Sequence, residues 1–198
     1  AAAWEKALQR MVIEDDNIDN VRTFYSCLYR VLLFPRKFYE YDATGSVIHY
    51  SPYNGEVLPG YMFTDNGFWD TFRAVFPFFN MMYPELNTQI MEGLANTYKE
   101  SGWLPEWASP GHRDCMIGSN SATIIADAFL KGNMQEKDVS VLLEAVLKNA
   151  NDDRISVYPE EERKNQTYHD MDFFEPWVSN CLEAVKLRKI TGHEGLNL

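Results

Sequence analysis

Apolar residues recur along this chain at the three- and four-residue spacing of an α-helix, and most of these runs carry their own start and stop signals. Ala2 to Met11 reads as a first short helix. Asp15 to Asn20 supply capping side chains ahead of Val21, Phe24, Tyr25, Leu28, Val31 and Leu32, and Pro35 stops that face. Thr64 or Asp65 is the expected cap of a helix through Trp69, Phe72, Phe76 and Phe79, bent near Pro77. Pro84 opens a helix carrying Leu86, Ile90, Leu94 and Tyr98, with Gly102 as its stop. Ser119 or Asn120 caps a further helix that ends at Gly132, Asp138 caps another, and Glu175 to Ile190 makes the last, ended by Gly192. Asn151 to Asp170 is a charged connector. A β-hairpin interrupts the pattern, because Phe38–Tyr41 and Val47–Tyr50 are aromatic and β-branched and flank Asp42–Gly45. Ser51–Gly60 and Trp103–Cys115 read as loops. The expected fold is all-α, a single domain of antiparallel helical hairpins with a small β-hairpin near 38–50.

Charge and cysteine content narrow the function. There are 18 Lys and Arg against 29 Asp and Glu, a net charge of −11, and no basic stripe forms, which argues against nucleic acid as a partner. The longest apolar runs fall far short of the roughly 20 residues that cross a bilayer, so no membrane span is expected. With 45% hydrophobic and 14% aromatic residues the chain can bury a core. Cys27, Cys115 and Cys181 cannot close into a disulfide set and are expected to be buried thiols or packing residues. The opening AAAWEKAL has neither an initiator Met nor a signal peptide and reads as a piece of something longer.

Two stretches gather the residue types that chemistry needs. In YMFTDNGFWDTFR, a helix from Asp65 would put Asp65 with Trp69, and Asp70 with Arg73, on shared faces. An Asp, an Arg and a Trp together suit a sugar, whose vicinal hydroxyls take planar polar groups and whose apolar ring face takes an indole. An intrahelical salt bridge beside a core tryptophan accounts for the same spacing. The loop Trp103 to Ala122 holds two Trp with Glu106, His112, Arg113, Asp114 and Cys115. Its aromatics suit a binding surface. Glu106 and Asp114 could form an acid and base pair, although surface carboxylates are common. Zinc at His112, Asp114 and Cys115 lacks a further ligand at the usual spacing. His49, on the expected strand, is read as half-exposed. No GxSxG, P-loop, GxGxxG or HExxH occurs.

Taken together, TFYSCLYRVLLFPRKFYEYD (Thr23 to Asp42), YNGEVLPGYMFTDNGFWDTFRAVFPFF (Tyr53 to Phe79), YPELNTQIMEGLANTYKESGWLPEW (Tyr83 to Trp107) and CMIGSNSATIIADAFLKG (Cys115 to Gly132) resemble glycoside hydrolase family 92, the calcium-dependent exo-acting α-mannosidases. The resemblance covers 2–132, and 133–198 are divergent. It implies a partial (α/α)6 toroid, in a parent enzyme that uses Ca2+ to remove terminal α-mannose from glycans with inversion. GNEP, GDEDxG and EGxxWQY, which the family associates with calcium and the catalytic acids, do not occur in this sequence. The expected role is therefore that of the opening half of a catalytic domain. It would be inactive alone and would supply substrate-binding residues Trp69, Asp70, Arg73, His112, Arg113 and Cys115 with no assignable catalytic residue or Ca2+ ligand. The alternatives are a non-catalytic sugar-binding module or a structural helical module. A half-toroid would leave apolar faces for the remainder of the catalytic domain or for a homo-oligomer. Family analogy places such proteins in the periplasm, on the cell surface or in the medium.

Overall fold

The structure, a computed structural model, describes residues 2–113 and 120–151. Helices α1 (Ala2–Leu8) and α2 (Ile18–Val31) come first, the second capped by the Asn17 side chain accepting the Asp19 N–H. Seven short strands follow or intervene: β1 (Arg36–Lys37), β2 (Glu40–Tyr41), β3 (Val47–Tyr50), β4 (Val57–Pro59), β5 (Phe63–Thr64), β6 (Asn66–Gly67) and, later, β7 (Trp107–Ala108). Between them and after them lie α3 (Phe68–Thr71), α4 (Val75–Met82), α5 (Pro84–Ser101), α6 (Asn120–Leu130) and α7 (Glu136–Asn151). The described chain is thus mostly helical with small sheets.

The hairpin forms as the turn chemistry requires. Glu40 pairs with Ile48 and Tyr41 with Val47, while the Asp42 carboxylate accepts the N–H groups of Thr44 and Ser46. The segment read as a loop adds a third strand, since β4 lies antiparallel to β3, with His49 opposite Leu58. Pro and Gly there mark strand ends: Pro59 closes the strand, and Gly60 has φ 102° and lies against α5. A Cβ at Gly60 would come within 2.7 Å of Asn96 Nδ2, so only glycine allows that approach.

Three helix expectations change. The helix predicted from Thr64 or Asp65 starts at Phe68, because Asp65 takes φ 56° and Asn66 and Gly67 pair with β7. Asp65, Asn66 and Gly67 are turn formers, and backbone pairing across the turn wins over capping. The break then falls at Ala74 rather than Pro77, because Pro77 sits in the first turn of α4, where an N–H is not needed. In α7, Asp138 stands within the first turn and Glu136 begins the helix. The helix α5 runs as expected from Pro84 to a left-handed Gly102 at φ 80°. Cys27 is exposed rather than packed. The last expected helix, the charged connector beyond Asn151, Cys115 and Cys181 lie outside the described residues.

The core is one cluster in which α5 packs against α4, α6 and α7, with Phe76, Phe79, Met91, Ala95, Ala128, Leu142 and Ala145 fully excluded from solvent. Lys137 Nζ donates to Glu92 Oε2 at 3.0 Å, the Tyr98 hydroxyl to Glu144 Oε1 at 3.0 Å and Lys148 Nζ to the Gly102 carbonyl at 2.8 Å. These contacts climb both helices together, so α5 and α7 run in the same direction, as the second helices of consecutive hairpins do.

Asp138 is the anomaly in that interface. It is fully buried, its oxygens have no hydrogen bond among the described residues, and Lys99 Nζ stands 3.9 Å away. Burial raises its pKa above the ordinary 3.8, the pull of Lys137 being partly cancelled by Glu92. A raised carboxyl pKa favours the protonated fold, so stability is fullest below the unfolded-state pKa and declines as pH rises through the folded one. Asp138→Asn is therefore expected to stabilise the protein at pH 7 and to change it little at pH 3. Urea melts at the two pH values check this, and a less stable variant at pH 7 contradicts it.

Candidate functional site

Two sequence segments, separated by α4 and α5, meet at a short sheet. In it Asn66 pairs with Ala108 and Gly67 with Trp107. The Phe68 N–H donates to the Glu106 carbonyl at 3.2 Å, which starts α3 directly beside β7. On the other side the Arg113 N–H donates to the Trp107 carbonyl at 3.0 Å, and Ala108 bridges His112. The backbone pairing therefore sets the start of α3, which carries Trp69 and Asp70, beside the strand that leads to His112 and Arg113.

The corner is held by Asp65, read from the sequence as a helix cap, with Ser109 and Arg36, which the spacing did not single out. The Ser109 hydroxyl donates to Asp65 Oδ1 at 3.0 Å, and Arg36 Nη1 lies 3.3 Å from Asp65 Oδ2. Asp65 thus serves as a brace between β1, β6 and the loop after β7. The signal for it was the run Asp65-Asn66-Gly67, which is a turn signature more than a helix cap.

Asp70 and Arg113 are exposed, and Trp69 is half-buried. Arg73 turns back on its own helix: Nη1 donates to the Trp69 carbonyl at 2.8 Å, and the guanidinium lies 4.6 Å from the Trp69 ring centre and 4.5 Å from that of Phe72. Among the described residues no ion pair joins Asp70 to Arg73, so the intrahelical salt bridge weighed for this spacing is not formed. Arg113 Nε donates to the Ser109 carbonyl at 2.8 Å, which fixes the loop.

His112 is different in kind. Its ring lies 4.7 Å from that of Tyr53, both ring nitrogens are shielded, and neither has a hydrogen bond among the described residues. Burial alone lowers its pKa from 6.5 to about 4, so it is a neutral imidazole at pH 7. Cys115 and Asp114 lie outside the described residues. So does half of the Glu106–Asp114 acid and base pairing, while Glu106 itself engages another group. His49, read as half-exposed, is buried on the inner face of β3 because Glu100 of α5 and the Gly60 carbonyl take its two nitrogens. No group of three or more His, Cys, Asp or Glu side chains able to hold a cation exists among the described residues, and none of their helices is long and apolar enough to cross a membrane.

Comparisons with known proteins fall on this same frame. A family model described as the glycosyl hydrolase family 92 catalytic domain matches residues 1–186. An uncharacterized secreted glycosidase of Arthroderma benhamiae is 27% identical over 152 residues, which are 75% of this chain and 15% of that protein. Among solved structures, the family GH92 inverting mannosidase BT2199 of Bacteroides thetaiotaomicron is 51% identical with a TM-score of 0.70, covering 74% of this chain and 20% of its own. The family GH92 α-mannosidase BT3965 of the same organism is 26% identical with a TM-score of 0.63, covering 76% of this chain and again 20% of its own. The chain spans a fifth or less of the length of these relatives.

Proposed function

This chain belongs to glycosyl hydrolase family 92, and on that footing we propose that it is the opening part of the catalytic (α/α)6 toroid of an exo-acting α-mannosidase, to which it contributes substrate-binding residues. The whole enzyme then removes terminal α-mannose from glycans with inversion. The observation that supports this reading is the β6–β7 pairing, which sets the start of α3, with Trp69 and Asp70, beside the strand that leads to His112 and Arg113. Asp70 accepts hydrogen bonds from sugar hydroxyls, Arg113 donates them, and Trp69 walls the subsite with Arg73 packed on its ring. The parallel run of α5 and α7 and the TM-score of 0.70 support the partial toroid.

Inverting hydrolysis needs two carboxyl groups roughly 6.5–9.5 Å apart, one protonating the leaving oxygen and one activating water. We place both outside the described residues. The GNEP segment that the family associates with calcium does not occur in this sequence, so we assign the ligands for Ca2+ elsewhere in the whole enzyme, and no step is routed through the ion. The remaining helices of the domain are the proposed partner of this part, with self-association as the substitute when they are missing. Likeness to a secreted glycosidase supports export of the whole protein.

Calorimetric titration of the 198-residue chain with methyl α-mannoside tests this, beside a mannobiose assay with Ca2+ and with EGTA. Binding without turnover is expected, and Asp70→Asn or Arg113→Gln is expected to weaken it about tenfold, a charged hydrogen bond being worth about 1.5–3 kcal/mol. Calcium-dependent turnover by this chain would show that the reacting acids were assigned to the wrong part. A folded chain that binds no sugar would leave the structural-module reading.

A further inference from the structure

Away from the candidate site, a buried group of titratable side chains joins β3 and β4 to α5. The His49 and Glu100 side chains are 0% and 7% exposed. Nδ1 of His49 lies 2.8 Å from the Gly60 carbonyl, an atom that only accepts, so Nδ1 carries hydrogen. Nε2 lies 2.9 Å from Glu100 Oε1. Two lone pairs facing each other at that distance in a dry interior would repel, so a proton lies between them, whichever atom holds it. Glu100 Oε2 has no partner among the described residues, which leaves His49 as the compensation for the carboxylate.

From this anchor the chain runs straight to the candidate site. The Ser51 hydroxyl, fully buried, accepts the Tyr53 N–H at 3.2 Å and the Asn54 N–H at 3.4 Å, so the turn is a stiff continuation of β3. Tyr53 packs its ring on His112. Burial pushes that phenol up to about 12, with the nearby Glu100 charge adding to the effect. Gly111, at φ 77°, lies beside the Pro52 carbonyl, close enough that an added Cβ would stand 3.6 Å from it. The loop after β7 therefore rests on a turn that continues from the strand which the His49–Glu100 pair fastens to α5.

We propose that His49 and Glu100 are positioning residues for the candidate sugar site: by fixing β3 and β4 on α5 they hold Tyr53 against His112 and set the Trp107–Arg113 segment beside Trp69 and Asp70. The role rests on the mannoside reading of that site. Neither residue touches the sugar.

Glu100→Ala separates positioning from simple stabilisation. In the folded variant the titration of His112, followed by ring-proton NMR, is expected to move from about 4 toward the ordinary 6.5 as water reaches the ring. Affinity for methyl α-mannoside is expected to fall about tenfold, with helicity unchanged. Glu100→Gln, whose amide can donate to Nε2, is expected to restore both. A melting temperature that falls while His112 still titrates near 4 overturns the proposal. Hydrogen exchange of the unaltered chain gives an answer even if Glu100→Ala does not fold. The amides of Ser51 and Gly60 are expected to open together with those of Ser109 and Arg113, and independent opening overturns the proposal. If the unaltered chain binds no methyl α-mannoside, the sugar reading fails, while the His112 and exchange results still decide whether the latch exists.

Discussion

Phe76→Ala is expected to lower the stability of this domain by about 3–5 kcal/mol, a large share of the roughly 5–15 kcal/mol by which folded domains are stable. Phe76 is fully excluded from solvent, and its ring centre lies 6.0 Å from that of Phe68 and 5.9 Å from that of Phe79. Phe79 in turn meets Tyr83 edge-on at 6.3 Å. This ladder joins α3, which carries Trp69 and Asp70, to α4 and the start of α5. Removing one ring costs its transfer free energy and leaves a cavity that helices on both sides cannot close. Phe76→Leu keeps most of the volume and is expected to cost about 1.5 kcal/mol. Equilibrium urea unfolding measures both, and a loss below 1 kcal/mol for the alanine variant would mean that the ladder relaxes around the gap.

The second large effect is a loss of stability in acid that traces to His112. Its folded-state pKa is depressed from 6.5 to about 4, so folding favours the neutral ring. A depressed histidine contributes stability that is present above 6.5, begins to fall as pH drops through 6.5 and is gone below about 4. At 1.36 kcal/mol per pH unit the contribution lost between pH 7 and pH 4 is about 3 kcal/mol. His112→Phe keeps a flat ring against Tyr53 and cannot charge. The difference in stability between the two proteins, measured by denaturant at pH 7, 5.5 and 4, isolates this group from the carboxylates that titrate in the same range. A difference that does not change with pH would place His112 in contact with solvent.

Both effects bear on the same candidate site, reached once through the apolar ladder under α3 and once through the ring that Tyr53 covers. The proposed sugar-binding geometry is therefore expected to be lost without any substitution at Asp70 or Arg113.

Helix α5 was legible residue by residue, because Pro84 and Gly102 act within one turn of their own positions. The hairpin was legible for the same reason, since the Asp42 carboxylate gathers N–H groups two and four residues on. What the spacing missed was non-local. Asp65, Asn66 and Gly67 had no means of announcing that they would pair with Trp107 and Ala108, and so a turn was read as a helix cap. His49 looked half-exposed because its partner Glu100 lies 51 residues away on another element. The likeness to family 92 came from FWDTFRA and IADAFLKG, and the family model matches across residues 1–186.

The sequence by itself determined the helical character of the chain, the ends of its best-marked helices and the family, since periodicity, caps and motifs are written in neighbouring residues. Only the tertiary structure decided which segments meet beside α3, that Arg73 lies on Trp69 instead of pairing with Asp70, and that His49 is buried and the ring nitrogens of His112 are shielded. Those outcomes depend on backbone pairing, exclusion of water and charge partners supplied by distant segments, and a linear spacing holds no record of a neighbour that arrives only when the chain closes on itself.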